Sequence, residues 1–402
     1  MYALGSEGRG TRSAYRSVIL PENPRTAPHA RKGPGLVAPH AWGAASGSAD
    51  RRSRVARGRN GIRTIDAPEV RAVIDDDMPP EVAEHVRRLR AAIERQVPPK
   101  LLDRNLIVAS WRWPMVMRAT DEWVAVAPAR ATRDQRAIRL LAEIVSHFDL
   151  LAIQGVMANA PTFHPMMALL GPNWAYMMTG LSRESGYHER TAVVFDTRKV
   201  LPQGLAGQIV LPGEGKLAEE RNQFLSGQFF RPPFFAGFRC LDTGFTLVNQ
   251  HLVYGTLAER IAEIRALGGW IDEFTSSAYW ERNLIVVGQL QLMRTDTAVY
   301  RAFIEAGLRL PADLVNVPTY VNRRGMPGSM ASAIAWVERD GARELAIPYR
   351  RGGVFNYLDP AVLTPPLDPD PDYLSQHLPV WAEFEVLPPR PELGVRIEST
   401  AA

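Results

Sequence analysis

The sequence predicts an α/β sandwich built on mixed sheets. From Asn105 onward, short apolar runs of strand length alternate with segments of helical periodicity. The runs are linked both by hairpin spacings, as in RC-LDTG-FT around Asp242, and by helix-long crossovers. Hairpins make antiparallel neighbours and crossovers make parallel ones, so the mixture favours mixed sheets over one doubly wound parallel sheet. With 46% apolar and 22% charged residues in 402, a sizeable core can be buried.

The elements follow in order. Residues 80–97 place Val82, Val86, Leu89, Ala92, Ile93 and Val97 at helical intervals between prolines, which predicts a surface helix. NLIVAS from Asn105 reads as a buried strand, and RDQRAIRLLAEIVSHF as a helix whose apolar face carries Ile138, Leu141, Ile144 and Val145. FDLLAIQ is the next strand and HPMMALLG the next helix. Strands are predicted at WAYMMT, RTAVVFD, PFFAGFRC and GFTLVNQ. A long helix, LAERIAEIRALGGWIDEF, precedes the strand NLIVVG, and the helix TAVYRAFIEAG follows it. ASAIAWVER and LPVWAEFEV are the last strands. Met166, Met167, Met177 and Met178 read as core filling.

Residues 1–65 are rich in Gly, Ala, Ser, Pro and Arg, and concentrate Arg51, Arg52, Arg54, Arg57, Arg59 and Arg63. Such a segment buries too little apolar surface to offset its chain entropy, so a disordered arm is expected there. It is either a solvated tail or an arm that neutralises nucleic-acid phosphates. Residues 66–102 are expected to be a linker carrying the surface helix, 103–388 the main domain, and 389–402 a tail.

The single cysteine, Cys240, excludes an intramolecular disulfide framework or a multi-cysteine zinc site, and its apolar flanks predict a buried structural thiol. No signal-peptide core and no uninterrupted apolar run of membrane length is evident, so a cytoplasmic protein with no membrane partner is the expectation. A formal charge of +4, carried mostly by arginine, hints weakly at anionic partners.

Several of these runs carry a resemblance. Asn105-Leu-Ile-Val-Ala-Ser-Trp-Arg112, Phe148-Asp-Leu-Leu-Ala-Ile-Gln-Gly155 and Glu189-Arg-Thr-Ala-Val-Val-Phe-Asp196 come first, in that order. Phe245-Thr-Leu-Val-Asn-Gln-His251, Asn283-Leu-Ile-Val-Val-Gly-Gln-Leu-Gln291 and Ser375-Gln-His377-Leu-Pro-Val follow. Together they resemble the signature strands of the endonuclease/exonuclease/phosphatase, or deoxyribonuclease-I-like, superfamily. The resemblance implies a four-layer α/β sandwich, two packed mixed β-sheets flanked by helices, over residues 103–388. It also implies Mg²⁺-dependent phosphoester hydrolysis, in which carboxylates hold the ion and orient water while a histidine stabilises charge on the phosphate.

Against that pattern the chain departs at its chemistry. Arg112 stands where the family has Asn, Gly155 where it has the metal-binding Glu, and Gln289 and Gln291 replace the Asp and Asn of Gly-Asp-x-Asn. Gln376 replaces the Asp of Ser-Asp-His, and Ser332 and Ala335 lie in a segment where another Asp is usual. His251 and His377 alone are retained. Mg²⁺ dehydrates reluctantly and needs carboxylates. At 4 Å and an effective dielectric near 20, Arg112 would oppose each unit of cation charge by roughly 4 kcal/mol. The expectation is therefore a pseudoenzyme without a cofactor, its family's Mg²⁺ site lost.

The remaining rim of Arg112, His251 and His377, with Tyr187 and Arg190 from a nearby loop, suits a phosphorylated small molecule or nucleic acid. His251 and His377 also read as packed structural histidines, and Tyr187 as a cap on the following strand. Two alternatives stay open. One is an active Mg²⁺-dependent phosphodiesterase or phosphatase using relocated acids, with Glu189 and Asp296 on loops and Asp149 at the far end of its strand. The other is a scaffold acting through the basic arm.

Overall fold

A computed structural model describes residues 78–386, apart from 115–117, 124–131, 182–188, 212–228, 277–282, 323, 340–341, 344 and 363–371. The basic arm, Tyr187 and the tail from 389 lie outside the described residues.

Six strands form the first sheet: β1 (Asn105–Arg112), β4 (Leu150–Met157), β5 (Trp174–Met178), β6 (Glu189–Asp196), β14 (Tyr349–Val354) and β15 (Val380–Glu385), in the order β14-β15-β1-β4-β6-β5. The main path of the second is β11-β12-β10-β9-β8-β7, built from β7 (Val200–Gln208), β8 (Phe234–Cys240), β9 (Thr243–His251), β10 (Leu284–Met293), β11 (Leu308–Arg309) and β12 (Met330–Arg339). A two-residue strand, β13 (Ala342–Arg343), pairs with β12, and β2 (Arg118–Ala119) pairs with β3 (Thr132–Arg133) apart from both sheets. Each large sheet has one parallel pair, β1 with β4 and β9 with β10, and the other pairings are antiparallel. Both sheets are mixed, as the combination of hairpins and crossovers predicts.

The parallel pairs are the ones spanned by helices. α2 (Gln135–Ser146) connects β1 to β4, and α4 (Leu257–Ser276) connects β9 to β10. Asp134 caps α2 by accepting from Ala137 N at 2.8 Å. Thr256 and Glu259 start α4 with a capping box, each side chain accepting from the other's backbone N–H.

Strand side chains alternate between two apolar layers. Leu106, Val108, Leu150, Ala152, Phe238, Phe245, Leu247, Ile285, Val287 and Ile334 fill the space between the sheets. On the outer face of the first sheet, Ile107, Ala109, Trp111, Leu151 and Ile153 meet α2 and α3 (Phe163–Leu170). The second sheet's outer face meets α4 and α5 (Ala298–Glu305). Helices, sheet, sheet and helices thus make the four-layer sandwich that the resemblance implies. The first helix, α1 (Pro80–Gln96), adds Val86, Leu89, Ala92 and Ile93 to the first outer core, and Arg90 grips Glu143 of α2 at 2.7 and 2.8 Å. Met166 is buried, and Met167 and Met178 pack against the same core. Cys240 is buried too, and burial pushes its thiol up to about 12. No helix among the described residues is long and apolar enough to cross a membrane.

One polar bridge crosses the interlayer. Gln154 Nε2 of β4 donates to Asn249 Oδ1 of β9 at 2.8 Å, and Asn249 Nδ2 donates to Ala192 O at 3.2 Å. Replacing Asn249 with Val strips partners from these buried groups, so we expect a loss of about 1–3 kcal/mol in urea unfolding. An unchanged midpoint would show that the bridge contributes nothing.

Candidate functional site

The interlayer changes character along its length. In β1 the column facing the second sheet runs Leu106, Val108, Ser110, Arg112, and in β4 it runs Leu150, Ala152, Gln154. Facing these, β9 runs Phe245, Leu247, Asn249, His251 and β10 runs Ile285, Val287, Gln289. Parallel pairing puts the polar ends side by side: Arg112 opposite Gln154, and Gln289 opposite His251. Antiparallel β12 brings Ser332 opposite Gln289. The polar residues therefore gather at one end of the sandwich, at the carboxyl ends of its central strands.

His377 reaches the same end from the segment before β15. Trp111 Nε1 donates to His377 O at 2.7 Å, and Ser375 Oγ donates to Arg112 O at 2.8 Å. The Tyr320 ring lies 5.0 Å from the His377 ring, and its hydroxyl donates to Gln376 Oε1 at 2.8 Å. Of the sequence-predicted positions, Arg112, Gly155, His251, Gln289, Ser332, Gln376 and His377 converge here. Gln291 lies just beyond, its amide 3.4 and 3.3 Å from Leu252 O and Val253 O. Arg190 is at the edge, with its guanidinium donating to Thr179 O at 2.8 Å. Gln289 and Ser332 pair with each other, Ser332 Oγ donating to Gln289 Oε1 at 3.0 Å. Two carboxylates at that separation would repel, so the neutral pair suits a site with no cation between them.

Three participants were not singled out as anion ligands from the sequence. Arg231 is buried and donates through Nε to Glu189 Oε2 at 3.0 Å. Tyr254 lies beneath two guanidiniums, 5.5 Å from Arg112 and 5.7 Å from Arg231, with its ring 5.8 Å from that of His251. Tyr320 supports Gln376 and His377. Arg231 lies in no motif, so sequence spacing offers no signal for it; Tyr254 stands three residues after His251, a usable hint.

The relocated acids fall differently from the sequence reading. Asp149 lies at the opposite end, buried against Lys199 Nζ at 2.7 Å, as its position in the strand implies. Glu189 is no loop residue: it opens β6 and is buried in the cleft, tied to Arg231. Asp296 is on the surface, 3.4 Å from Arg294.

These donors do not fit a hard divalent cation. Among the described residues Glu189 is the carboxylate at the cleft, its charge already matched by Arg231, and Arg112 is nearby. Among the described residues no three His, Cys, Asp or Glu side chains are placed to share an ion. Gly155 has a backbone role of its own. It is the extra residue of a bulge, since Gln154 and Val156 pair with adjacent Thr191 and Arg190. Its φ is +86°, and a Cβ would lie 2.6 Å from Trp113 O.

Burial foremost, then Arg231, Arg112 and His377, holds His251 well below the usual 6.5. Burial and Arg112 do the same to His377. Both are therefore neutral near pH 7, so the 3.5 Å approach of His251 Nδ1 to Glu189, which lacks hydrogen-bond geometry, is no ion pair. Below pH 6.5 the unfolded chain takes up these protons first. Each histidine then costs up to about 1.4 kcal/mol of stability per pH unit. Glu263, raised to about 7 by burial, acts oppositely, because the folded state protonates first as pH falls from 7 towards 4.5. His85 and His147, also lowered chiefly by burial, act in the same direction, so four histidines against one carboxyl leave a net loss. Urea midpoints should therefore fall between pH 7.5 and 5.5, and a rise would contradict neutral histidines.

Several nitrogens in the cleft have no hydrogen-bond partner among the described residues: Arg112 Nε, Arg231 Nη1, both ring nitrogens of His251, His377 Nδ1 and Gln376 Nε2.

No family model and no curated protein matches the chain. Solved structures do. An endonuclease/exonuclease/phosphatase family protein from Bacteroides thetaiotaomicron is 17% identical, with a TM-score of 0.44, over 70% of this chain and 95% of that one. The human Nocturnin catalytic domain with bound sulfate anion is 17% identical, with a TM-score of 0.45 and the same coverage. D. rerio TDP2 complexed with single-strand DNA product is 14% identical, with a TM-score of 0.43, over 70% of this chain and 99% of that one.

Proposed function

We propose that the chain binds a phosphate-bearing ligand, a small molecule or a nucleic-acid backbone, at the carboxyl ends of β1, β4, β9 and β10 without hydrolysing it. One observation carries this reading: Arg112, Arg231, His251, His377 and Gln376 leave buried nitrogens unpaired at one cleft. Buried polar groups ordinarily have partners, so a cluster of unpaired nitrogens calls for an acceptor with several oxygens. The two guanidiniums supply charge beyond what Glu189 cancels, and the neutral imidazoles supply directional hydrogen bonds. Retaining the ligand intact follows from the same donors. A single arginine-bound carboxylate is a poor base and a poor cation ligand, so among the described residues no group is set to activate water against a phosphoester.

Calorimetric titration with inorganic phosphate, pyrophosphate and a short oligonucleotide tests it, with and without Mg²⁺. Binding should need no metal, and Arg112→Ala should weaken it roughly 10–100-fold, the value of a charge-assisted hydrogen bond of about 1.5–3 kcal/mol. Tighter oligonucleotide binding that weakens steeply with salt selects the nucleic-acid ligand. Metal-dependent phosphodiester cleavage abolished by Glu189→Gln would replace this reading with that of an active hydrolase.

A further inference from the structure

Glu263 sits on α4 among Ala262, Ile264, Ala266 and Leu267 of the outer core, 1% exposed. A carboxylate is out of place in such company unless it is fully used. Its two oxygens serve two different segments. Oε1 accepts from Phe230 N at 2.7 Å, and Oε2 accepts from Val253 N at 2.9 Å. In each segment the next residue belongs to the cleft. Phe230 is followed by Arg231, which grips Glu189, and Val253 by Tyr254, which lies beneath Arg112 and Arg231.

We propose that Glu263 is the positioning residue of this cleft, one buried carboxylate that fastens the Arg231 and Tyr254 segments to the same helix and so fixes the guanidinium over the ring. The proposal rests on the anion-binding reading for its consequence but not for its geometry. Backbone N–H groups at 230 and 253 lie outside any strand or helix, so without Glu263 they would lose these partners. Above pH about 7, where the carboxyl is ionised, both bonds are charge-assisted, and they converge on one crossover helix, which sets the spacing of two chain segments separated by more than twenty residues.

The test uses Glu263→Gln, which keeps the shape but leaves one acceptor for two donors. Amide hydrogen exchange at Phe230 and Val253 should be slow in the wild-type protein and at least about tenfold faster at one or both sites in the variant. Phosphate affinity should fall about tenfold, and Arg231→Gln should add little to Glu263→Gln, while His377→Ala keeps its full effect in that background. A residue that merely stabilised the fold would leave the Arg231 and His377 cycles alike. Rapid exchange at both amides in the wild-type protein overturns the proposal without any variant. So does an Arg231→Gln effect of full size in the Glu263→Gln background. If the wild-type protein binds no phosphate, the anion-binding reading fails and the exchange data alone decide for or against Glu263.

Discussion

Replacing Arg231 with alanine is expected to destabilise the folded chain by about 3–5 kcal/mol, because it leaves the Glu189 carboxylate buried without its counter-ion. Both side chains are almost wholly withdrawn from water, 8% and 3% exposed, so solvent cannot take over as it would at the surface. The neighbouring His251 is a poor substitute cation, since burial, the largest cause, and Arg112 still oppose its protonation once Arg231 is gone. The double change Arg231→Met with Glu189→Gln removes the charge and its partner together, and should recover much of the loss. Urea unfolding of the three variants distinguishes the cases. If Arg231→Ala costs no more than the double change, the pair is not a buried ion pair in solution. Phosphate affinity separates structure from ligand contact: the double variant should fold and still bind weakly, because Arg231 Nη1 is one of the unpaired donors.

Placing a metal-binding acid at Gly155 is expected to fail. Gly155→Glu places a Cβ 2.6 Å from Trp113 O and forces a side chain onto a backbone at φ +86°. Strain of that kind costs of order 1–3 kcal/mol, and the Trp113 carbonyl is backbone that cannot swing aside. Gly288, with φ +141°, approaches Gln250 more closely still, where a Cβ would lie 1.9 Å from its carbonyl oxygen. A variant that adds Gln289→Asp, Gln291→Asn, Gln376→Asp and Arg112→Asn to Gly155→Glu therefore inherits the bulge at Gly155. Thermal melts with and without Mg²⁺ give the answer: a lower Tm that the metal leaves unchanged is expected. A metal-dependent rise in Tm for Gly155→Glu would mean that the bulge relaxes and that the site is one substitution from binding the ion.

Much of the sandwich was legible in the sequence because its central strands are buried on both faces. β1, β4, β9 and β10 read as near-continuous apolar runs, and the helices of the crossovers show their own period. Edge strands were not legible. β7 carries Pro202 and Gly204 and exposes most of its residues, and β14 carries Arg350 and Arg351 with two glycines, so neither has an apolar pattern to read. The helix at residues 80–96 was legible as a helix, but its packing against α2 through Arg90 and Glu143 was not, because the partner lies 53 residues away.

The candidate site divides in the same way. Alternation along the strands already places Arg112, His251 and Gln289 on one face of their runs, and each run turns polar at its carboxyl end, so the sequence by itself determined that these ends carry Arg, His and Gln in place of carboxylates. Only the tertiary structure decided how these groups pair. Whether Glu189 was a spare acid or half of an ion pair depended on Arg231, 42 residues away. Whether Gly155 was a lost ligand or a backbone requirement depended on a bulge and on Trp113 O. The physical reason is common to both: charge balance and steric room are properties of neighbours in space, and a sequence orders its neighbours along the chain.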